Sequence, residues 1–242
     1  CFRYEENIPL IVPEVNGYEL NDYKQPGIIA NPNCSTIQML VALKPIHDEF
    51  NIKRIDVTTL QAVSGTGKEA TEELISQLDA YQGRTDQSVA IYPKQIANNV
   101  LPHCDVFESN RYTKEENKLL KETHKILDPT IKISATAVRV PVIGGHSESI
   151  NITLLNSFEI SEINNLLTNT SGVIVKDDPA QLKYPMPLFC KGKDEVFVGR
   201  IREDFSEKNS LNLWVVTDNL RKGAATNTIQ IAEYLIKKGF VN

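Results

Sequence analysis

Between residues 52 and 61 apolar and polar positions alternate through Ile55, Val57 and Thr59, which predicts a strand, and the run ends in Ala62-Val63-Ser64-Gly65-Thr66-Gly67. The flanking pattern is helical. From Cys34, the residues Ile37, Leu40, Val41 and Lys44 share one side of a helix capped by Asn33, and Pro45 is expected to kink or end it. After Gly67, the residues Ala70, Leu74, Leu78 and Tyr81 form an apolar stripe that stops before Gly83. Thr113-x-x-Glu116 is a capping box opening a third helix to about Leu127, halted by Asp128-Pro129.

Further along, residues 131–142, 149–155, 196–201 and 211–216 read as strands, with a short helix over 161–169. Residues 226–238 read as an amphipathic helix with Ile229, Ala232, Tyr234 and Ile236 inward or partly inward and Gly239 as its stop. Near the start, residues 8–15 are apolar but carry Pro9 and Pro13, which suits an extended segment or edge strand. Residues 16–33 read as turn, brief strand at Ile28-Ile29 and turn, and residues 84–110 mainly as loop. The balance is a mixed α+β chain with most strands after residue 130.

Composition narrows the function classes. With 41% hydrophobic and 24% charged residues in 242, disorder, collagen and repeat arrays are excluded. The net charge of −5 gives no overall positive field toward nucleic acid or an anionic membrane, and no apolar run approaches the ~20 residues that cross a bilayer. Cysteines at 1, 34, 104 and 190 form no C-x-x-C pair and the four histidines are scattered, so no metal is expected. Reduced thiols suit a cytoplasmic setting. The chain opens on Cys1 with no leader-like segment and reads as a piece of something longer.

Cys34 is the first candidate for chemistry. In the opening turn of a helix, free N–H groups and the dipole lower a thiol pKa and populate the thiolate, although most free cysteines are merely small buried side chains. His146, in a Gly-Gly-His-Ser turn between two expected strands, presents a titratable ring from a loop, while His47, His103 and His124 read as satisfied polar residues. Arg139 stands in the apolar run Ala137-Val138-Arg139-Val140 and demands an anionic partner, either Glu148 or a substrate carboxylate. Glu115 and Lys118 share a helix face and, taken alone, read as a solvated ion pair. Residues 64–67 suggest an anion cradle but fail the P-loop pattern, and no G-x-G-x-x-G occurs in the chain.

Together these segments resemble the aspartate-β-semialdehyde dehydrogenase family. The resemblance rests on Phe2-Arg3, on Ile8-Pro9-Leu10-Ile11-Val12-Pro13-Glu14-Val15-Asn16, on Asn31-Pro32-Asn33-Cys34-Ser35-Thr36 and on Gln61-Ala62-Val63-Ser64-Gly65-Thr66-Gly67. Arg139-Val140-Pro141-Val142 with His146, and Asp218-Asn219-Leu220-Arg221-Lys222-Gly223-Ala224-Ala225, complete it over nearly the whole chain. It implies a largely antiparallel mixed sheet with helices on one face, the glyceraldehyde-phosphate-dehydrogenase-like catalytic domain, with remnants of a doubly wound NADP-binding domain. The implied boundaries are 1–33 for that remnant, 34–219 for the catalytic and dimerisation domain, and 220–242 for a helix packing back on the cofactor domain.

The implied reaction is the NADPH-dependent reductive dephosphorylation of aspartyl phosphate to aspartate semialdehyde through a cysteine thioester, on the route to lysine, threonine, methionine and diaminopimelate. Cys34 would be the nucleophile and His146 its acid/base partner; Gln61 would orient the acyl intermediate, Arg139 clamp the substrate carboxylate and Glu115 meet its ammonium. Arg3 and Lys118 would hold the inorganic phosphate, and Ser64, Gly65 and Asn219 would touch the cofactor. Family relatives are homodimers, sometimes tetramers. The glycine-rich cofactor turn is not in these residues, so little NADPH binding and no net turnover are expected of the chain alone. Three other readings stay open: an N-acetyl-glutamyl-phosphate reductase or glyceraldehyde-phosphate dehydrogenase relative, a non-catalytic dimerisation module, and a thiol protease built on Cys34 and His146.

Overall fold

The computed structural model describes residues 2–22, 27–83 and 89–240. Its elements are, in chain order, α1 (Pro13–Asn16), α2 (Cys34–Phe50), β1 (Ile52–Gln61), α3 (Lys68–Tyr81), α4 (Lys114–Ile126), β2 (Lys132–Arg139), β3 (His146–Leu154), α5 (Ile160–Thr168), β4 (Val173–Val175), α6 (Pro187–Cys190), β5 (Val196–Glu203), β6 (Ser210–Thr217) and α7 (Thr226–Lys237). The strands form one six-stranded sheet in the order β2-β1-β3-β6-β5-β4. The three central pairings are antiparallel, and only the edge pairs β1–β2 and β4–β5 are parallel.

Alternation along the strands sorts the two faces. Ile55, Val57, Ile150, Ile152, Leu211, Leu213 and Val215 point into a core closed by Ile37, Leu40, Val41 and Leu43 of α2, Leu119 of α4 and Ile163 of α5. The opposite face is polar and part-exposed: the register aligns Asp56 with Asn151 and Asn212, and Thr58 with Ser149 and Trp214. The expected mixed, largely antiparallel sheet with helices on one face is what the chain forms.

Several local expectations need correction. The helix that begins at Cys34 runs through Pro45 to Phe50, because burial of nearly its whole length between sheet and α4 outweighs the hydrogen bond that proline removes. Residues 8–15 do not remain extended: Leu10 pairs with Ala30 in an isolated bridge, and Pro13 then starts α1 at the position where its missing N–H costs nothing. Residues Gly17–Asp22 continue as 3-10 helix, part of the stretch read as turns. The far end of the stripe on α3 is open, with Leu78 38% and Tyr81 72% exposed, since Glu73 and Gln77 face inward and accept backbone N–H groups of residues 90–92 and 96–97. That loop carries no strand or helix among residues 89–110, and residues 84–88 of the same expectation lie outside the described residues.

On α7 the inward face is Ile231 and Asn227, while Ile229, Ala232 and Ile236 are exposed. Ile231 joins Ile11 and Leu20, with Ile29, Tyr234 and Leu235 at its edge, in an apolar cluster separate from the sheet core. One turn of π-helix, Arg221–Ala225, leads into α7. The fully buried Lys222 there is held by Glu14 at 2.8 and 2.7 Å, tying α1 to the end of the chain.

Candidate active site

At the N-terminus of α2 the chain lays Cys34 into a cavity of about 400 Å³. Asn33 caps the helix as expected, its side-chain oxygen accepting the Ser35 N–H at 2.9 Å. The capping box at Thr113 and Glu116 starts α4, so that Glu115 and Lys118 line the same cavity, with Glu122 buried behind it. Every site residue anticipated from sequence lines this cavity except His146.

The carboxylate end is built on β1 and β2, which run parallel and bring Gln61 beside Arg139. Arg139 is buried, donates Nη1 to the Ala62 carbonyl at 2.7 Å, and lies 5.9 Å from the centre of the Tyr92 ring. Its Nε has no partner among the described residues, and Glu148 forms no ion pair with it, which removes that alternative. Glu115 is nearly enclosed. One oxygen accepts from Asn33 Nδ2 at 2.8 Å and Gln61 Nε2 at 3.0 Å, and the other from Lys118 Nζ at 3.0 Å. Gln61 also donates to Ser35, joining the helix start to the sheet. Lys118 reaches Asp105 at 2.9 Å, and the two carboxylates raise its pKa against the desolvation that acts to lower it.

Arg3 donates to the carbonyls of Asn31 and Pro32 and to Glu122 at 3.2 Å. Glu122, fully buried, accepts the Asn33 N–H at 2.7 Å with its other oxygen, so it fixes both the nucleophile loop and Arg3. Sequence reading passed over it, although its spacing of four from Lys118 and seven from Glu115 places the three on one helix face. Gly223 was also passed over as a site residue: its π-turn presses on α2, and a methyl group there would stand 2.8 Å from the Cys34 Cβ. Ser64 donates to Asn219 at 3.2 Å, and the same Asn219 oxygen accepts the Gly145 N–H at 2.9 Å, so this pair braces the turn before β3.

Two expectations about the reacting pair are overturned. His146 is not presented on a loop but is the first residue of β3, wholly buried behind Gly65; a Cβ at Gly65 would lie 3.0 Å from its Cε1 and Nε2. Burial, reinforced by the Arg139 charge, pushes its pKa down to about 3. Its Nδ1 accepts the Ala62 N–H at 3.0 Å, so the neutral ring carries its proton on Nε2, which has no partner among the described residues. The Cys34 thiol, in turn, is not lowered by the helix start but pushed up to about 12, by burial first and the Glu115 charge second, against the opposing Ser35 N–H and Arg139. The resting pair is thiol and neutral imidazole.

A cysteine at a helix start, flanked by guanidinium, ammonium and carboxylate groups on a largely antiparallel sheet, suits a thiol-dependent acyl-transfer centre for a small charged substrate. Comparison with known proteins agrees: residues 43–222 match the family model described as semialdehyde dehydrogenase, dimerisation domain. The chain is 54% identical over its full length to the aspartate-semialdehyde dehydrogenase of Aquifex aeolicus, of which it spans 72%. The structure of aspartate semialdehyde dehydrogenase II complexed with ASA from Vibrio cholerae superposes with a TM-score of 0.94 at 45% identity, over 98% of this chain and 70% of that one. That of the Candida albicans enzyme with NADP gives 0.76 at 27% identity, over 99% and 70%. The chain belongs to the aspartate-semialdehyde dehydrogenase family.

Proposed function

We propose that this chain carries the catalytic part of an enzyme of aspartate-pathway amino-acid biosynthesis, the NADPH-dependent reductive dephosphorylation of L-aspartyl 4-phosphate to L-aspartate 4-semialdehyde. The observation that carries the reading is the placement of Cys34 in one cavity with Arg139, Glu115, Lys118 and Arg3, one partner for each charged group of an amino-acid acyl phosphate. A carboxylate in that cavity favours a free amino group over an acylated one, against the N-acetyl-glutamyl-phosphate reductase reading. No Asn or Asp accepts a hydrogen bond from the His146 ring among the described residues, against a thiol protease.

Arg139 grips the α-carboxylate and Glu115 the ammonium. That ammonium offsets the charge of Glu115, after burial the largest influence holding the thiol up, so binding of the substrate favours the Cys34 thiolate. The sulfur then bonds to the acyl carbon, the carbon–oxygen bond to phosphate breaks, and the thiol proton departs with the phosphate, which Arg3 and Lys118 receive. Gln61, held by Glu115 and Ser35, orients the acyl group. The residues present at the cavity rim, Ser64, Gly65 and Asn219 beside the exposed Leu220, fit the nicotinamide end of NADPH, whose chemistry is to deliver hydride to the thioester carbon. With NADPH bound, His146, its proton on Nε2, would serve as the acid toward the acyl oxygen, and scission of the carbon–sulfur bond would release the semialdehyde and free Cys34.

Residues 34–219 form the catalytic and dimerisation unit, while residues 1–33 and 220–242 belong with the cofactor domain. The separate apolar cluster of Ile11, Leu20 and Ile231 supports that division. The family model's description supports a homodimer, and assembly to a tetramer and a cytoplasmic location complete the proposal. No helix among the described residues is long and apolar enough to cross a membrane, and no group of three His, Cys, Asp or Glu among them could hold a metal ion.

Incubation with aspartyl phosphate tests the reading without NADPH. One equivalent of phosphate is expected to be released as Cys34 gains an aspartyl group by mass spectrometry, and Cys34→Ala is expected to abolish both. Release that persists in Cys34→Ala, or none from the intact chain, refutes it; the latter leaves the dimerisation module.

A further inference from the structure

The phosphate end of the cavity is crowded with carboxylates. Arg3 is paired with Glu122, and Lys118 sits between Glu115 and Asp105. Glu122 also holds the Asn33 backbone and Glu115 also binds Asn33 and Gln61, so both have work within the nucleophile's surroundings. Asp105 has none. Among the described residues, its carboxylate accepts hydrogen bonds from the Val106 N–H of its own turn and from Lys118.

The position of that carboxylate is nevertheless built. Asp105 adopts φ +67°, a left-handed conformation uncommon outside glycine that Asp tolerates better than most residues. Its loop is pinned on both sides: Leu101 exchanges two backbone hydrogen bonds with Arg139, and Lys114 at the start of α4 donates to the Val106 carbonyl. One carboxylate oxygen accepts the Val106 N–H at 2.8 Å, leaving the other aimed at Lys118. The hydrogen bonds from Lys118 and Val106 outweigh partial burial and keep this carboxyl below the usual carboxylate range, so it is anionic at neutral pH.

We propose that Asp105 sets the phosphate affinity of this site: it is a built-in anion that occupies Lys118 and competes with phosphate for it, so that phosphate is held loosely and leaves. The proposal rests on the reading of Lys118 as a phosphate-binding cation. An ammonium has three N–H donors, and Glu115 and Asp105 take two of them, leaving one for the ligand. A phosphate bound to that third donor stands within a few ångströms of the Asp105 carboxylate, where like charges repel and the partly enclosed cavity screens them less than bulk water does. Loose binding has a chemical use: a phosphate that lingers beside the thioester attacks it and reverses the step.

Titration of inorganic phosphate into the 242-residue chain by calorimetry tests this. Asp105→Asn, which keeps the shape and the Val106 contact but removes the charge, is expected to bind phosphate about three- to thirtyfold more tightly than the parent. Asp105→Glu is expected to return toward parent affinity, and Lys118→Met to lose at least about tenfold. A damaged fold does not tighten binding, so the gain separates this role from a structural one; should Asp105→Asn prove unstable, Asp105→Ser is expected to show the same gain. Equal or weaker phosphate binding in the folded neutral variant, with Lys118→Met still impaired, overturns the proposal. Undiminished binding in Lys118→Met, or none in any variant, overturns the phosphate-site reading and the proposal with it.

Discussion

Glu148 offers a measurement in which the sign alone is informative. It lies on β3 two residues after His146, flanked by Thr59 on β1 and Val215 on β6, wholly buried beneath α2. Neither carboxyl oxygen has a hydrogen-bond partner among the described residues, and no cation is paired with it. Burial pushes its pKa well above 4.5, with Gln38 the one polar side chain opposing the rise, so the fold favours the neutral carboxyl. A raised pKa favours the fold fully below the unfolded value and less as pH rises, because the unfolded chain gains an ionisation that the folded chain forgoes. Each pH unit above 4.5 over which the buried group stays protonated costs about 1.4 kcal/mol of stability. Glu148→Gln keeps the volume and cannot ionise. Urea unfolding is therefore expected to show the variant gaining on the parent as pH rises, by about 1.4 kcal/mol for each unit over which the folded group stays protonated, with the difference shrinking to a few tenths of a kcal/mol at pH 4.5. A difference of the same size at pH 4.5 and pH 7.5, or a loss at pH 7.5, refutes the neutral buried acid.

Three further outcomes are expected. The opposite slope belongs to His146: its pKa is depressed to about 3, so the stability it contributes is complete above 6.5 and falls as pH drops toward 3, by up to about 5 kcal/mol; His146→Phe should remove that loss from the parent's acid unfolding curve. In Gly223→Ala the added methyl would stand 2.8 Å from the Cys34 Cβ and 3.3 Å from its Cα, so acylation by aspartyl phosphate should slow at least about tenfold while the circular dichroism spectrum is unchanged. The 242 residues hold no G-x-G-x-x-G turn, so NADPH titrated into this chain alone should show affinity weaker than micromolar by tryptophan quenching.

What was legible in the sequence is what is decided within a turn or two of chain. The Asn33 cap, the Thr113–Glu116 capping box and the alternation over β1 involve residues at most a few positions apart, and each forms as expected. The errors arise where a distant segment decides. The inward face of α7 is set by Ile11 and Leu20, more than two hundred residues away, which select Ile231 over the equally apolar Ile229. Pro45 survives inside α2 because the sheet and α4 bury that helix. The cavity's members were recoverable through the family resemblance, yet the contacts that hold them were not: Glu122 to the Asn33 backbone and Gly223 to Cys34 are contacts across the chain that no spacing announces.

The thiol shows the same lesson at the level of charge. A helix start lowers a thiol pKa when the thiol faces water, and that local rule is present here in the Ser35 N–H. It loses to burial and to Glu115, whose carboxylate is brought by a helix some eighty residues onward. After burial, the largest influence raising the thiol is thus the carboxylate assigned to the substrate's ammonium. Under the proposed function, a substrate ammonium adds to Lys118 in offsetting Glu115, so recognition and activation are coupled: a ligand lacking the amino group is expected to leave the thiol pKa higher and to acylate Cys34 more slowly.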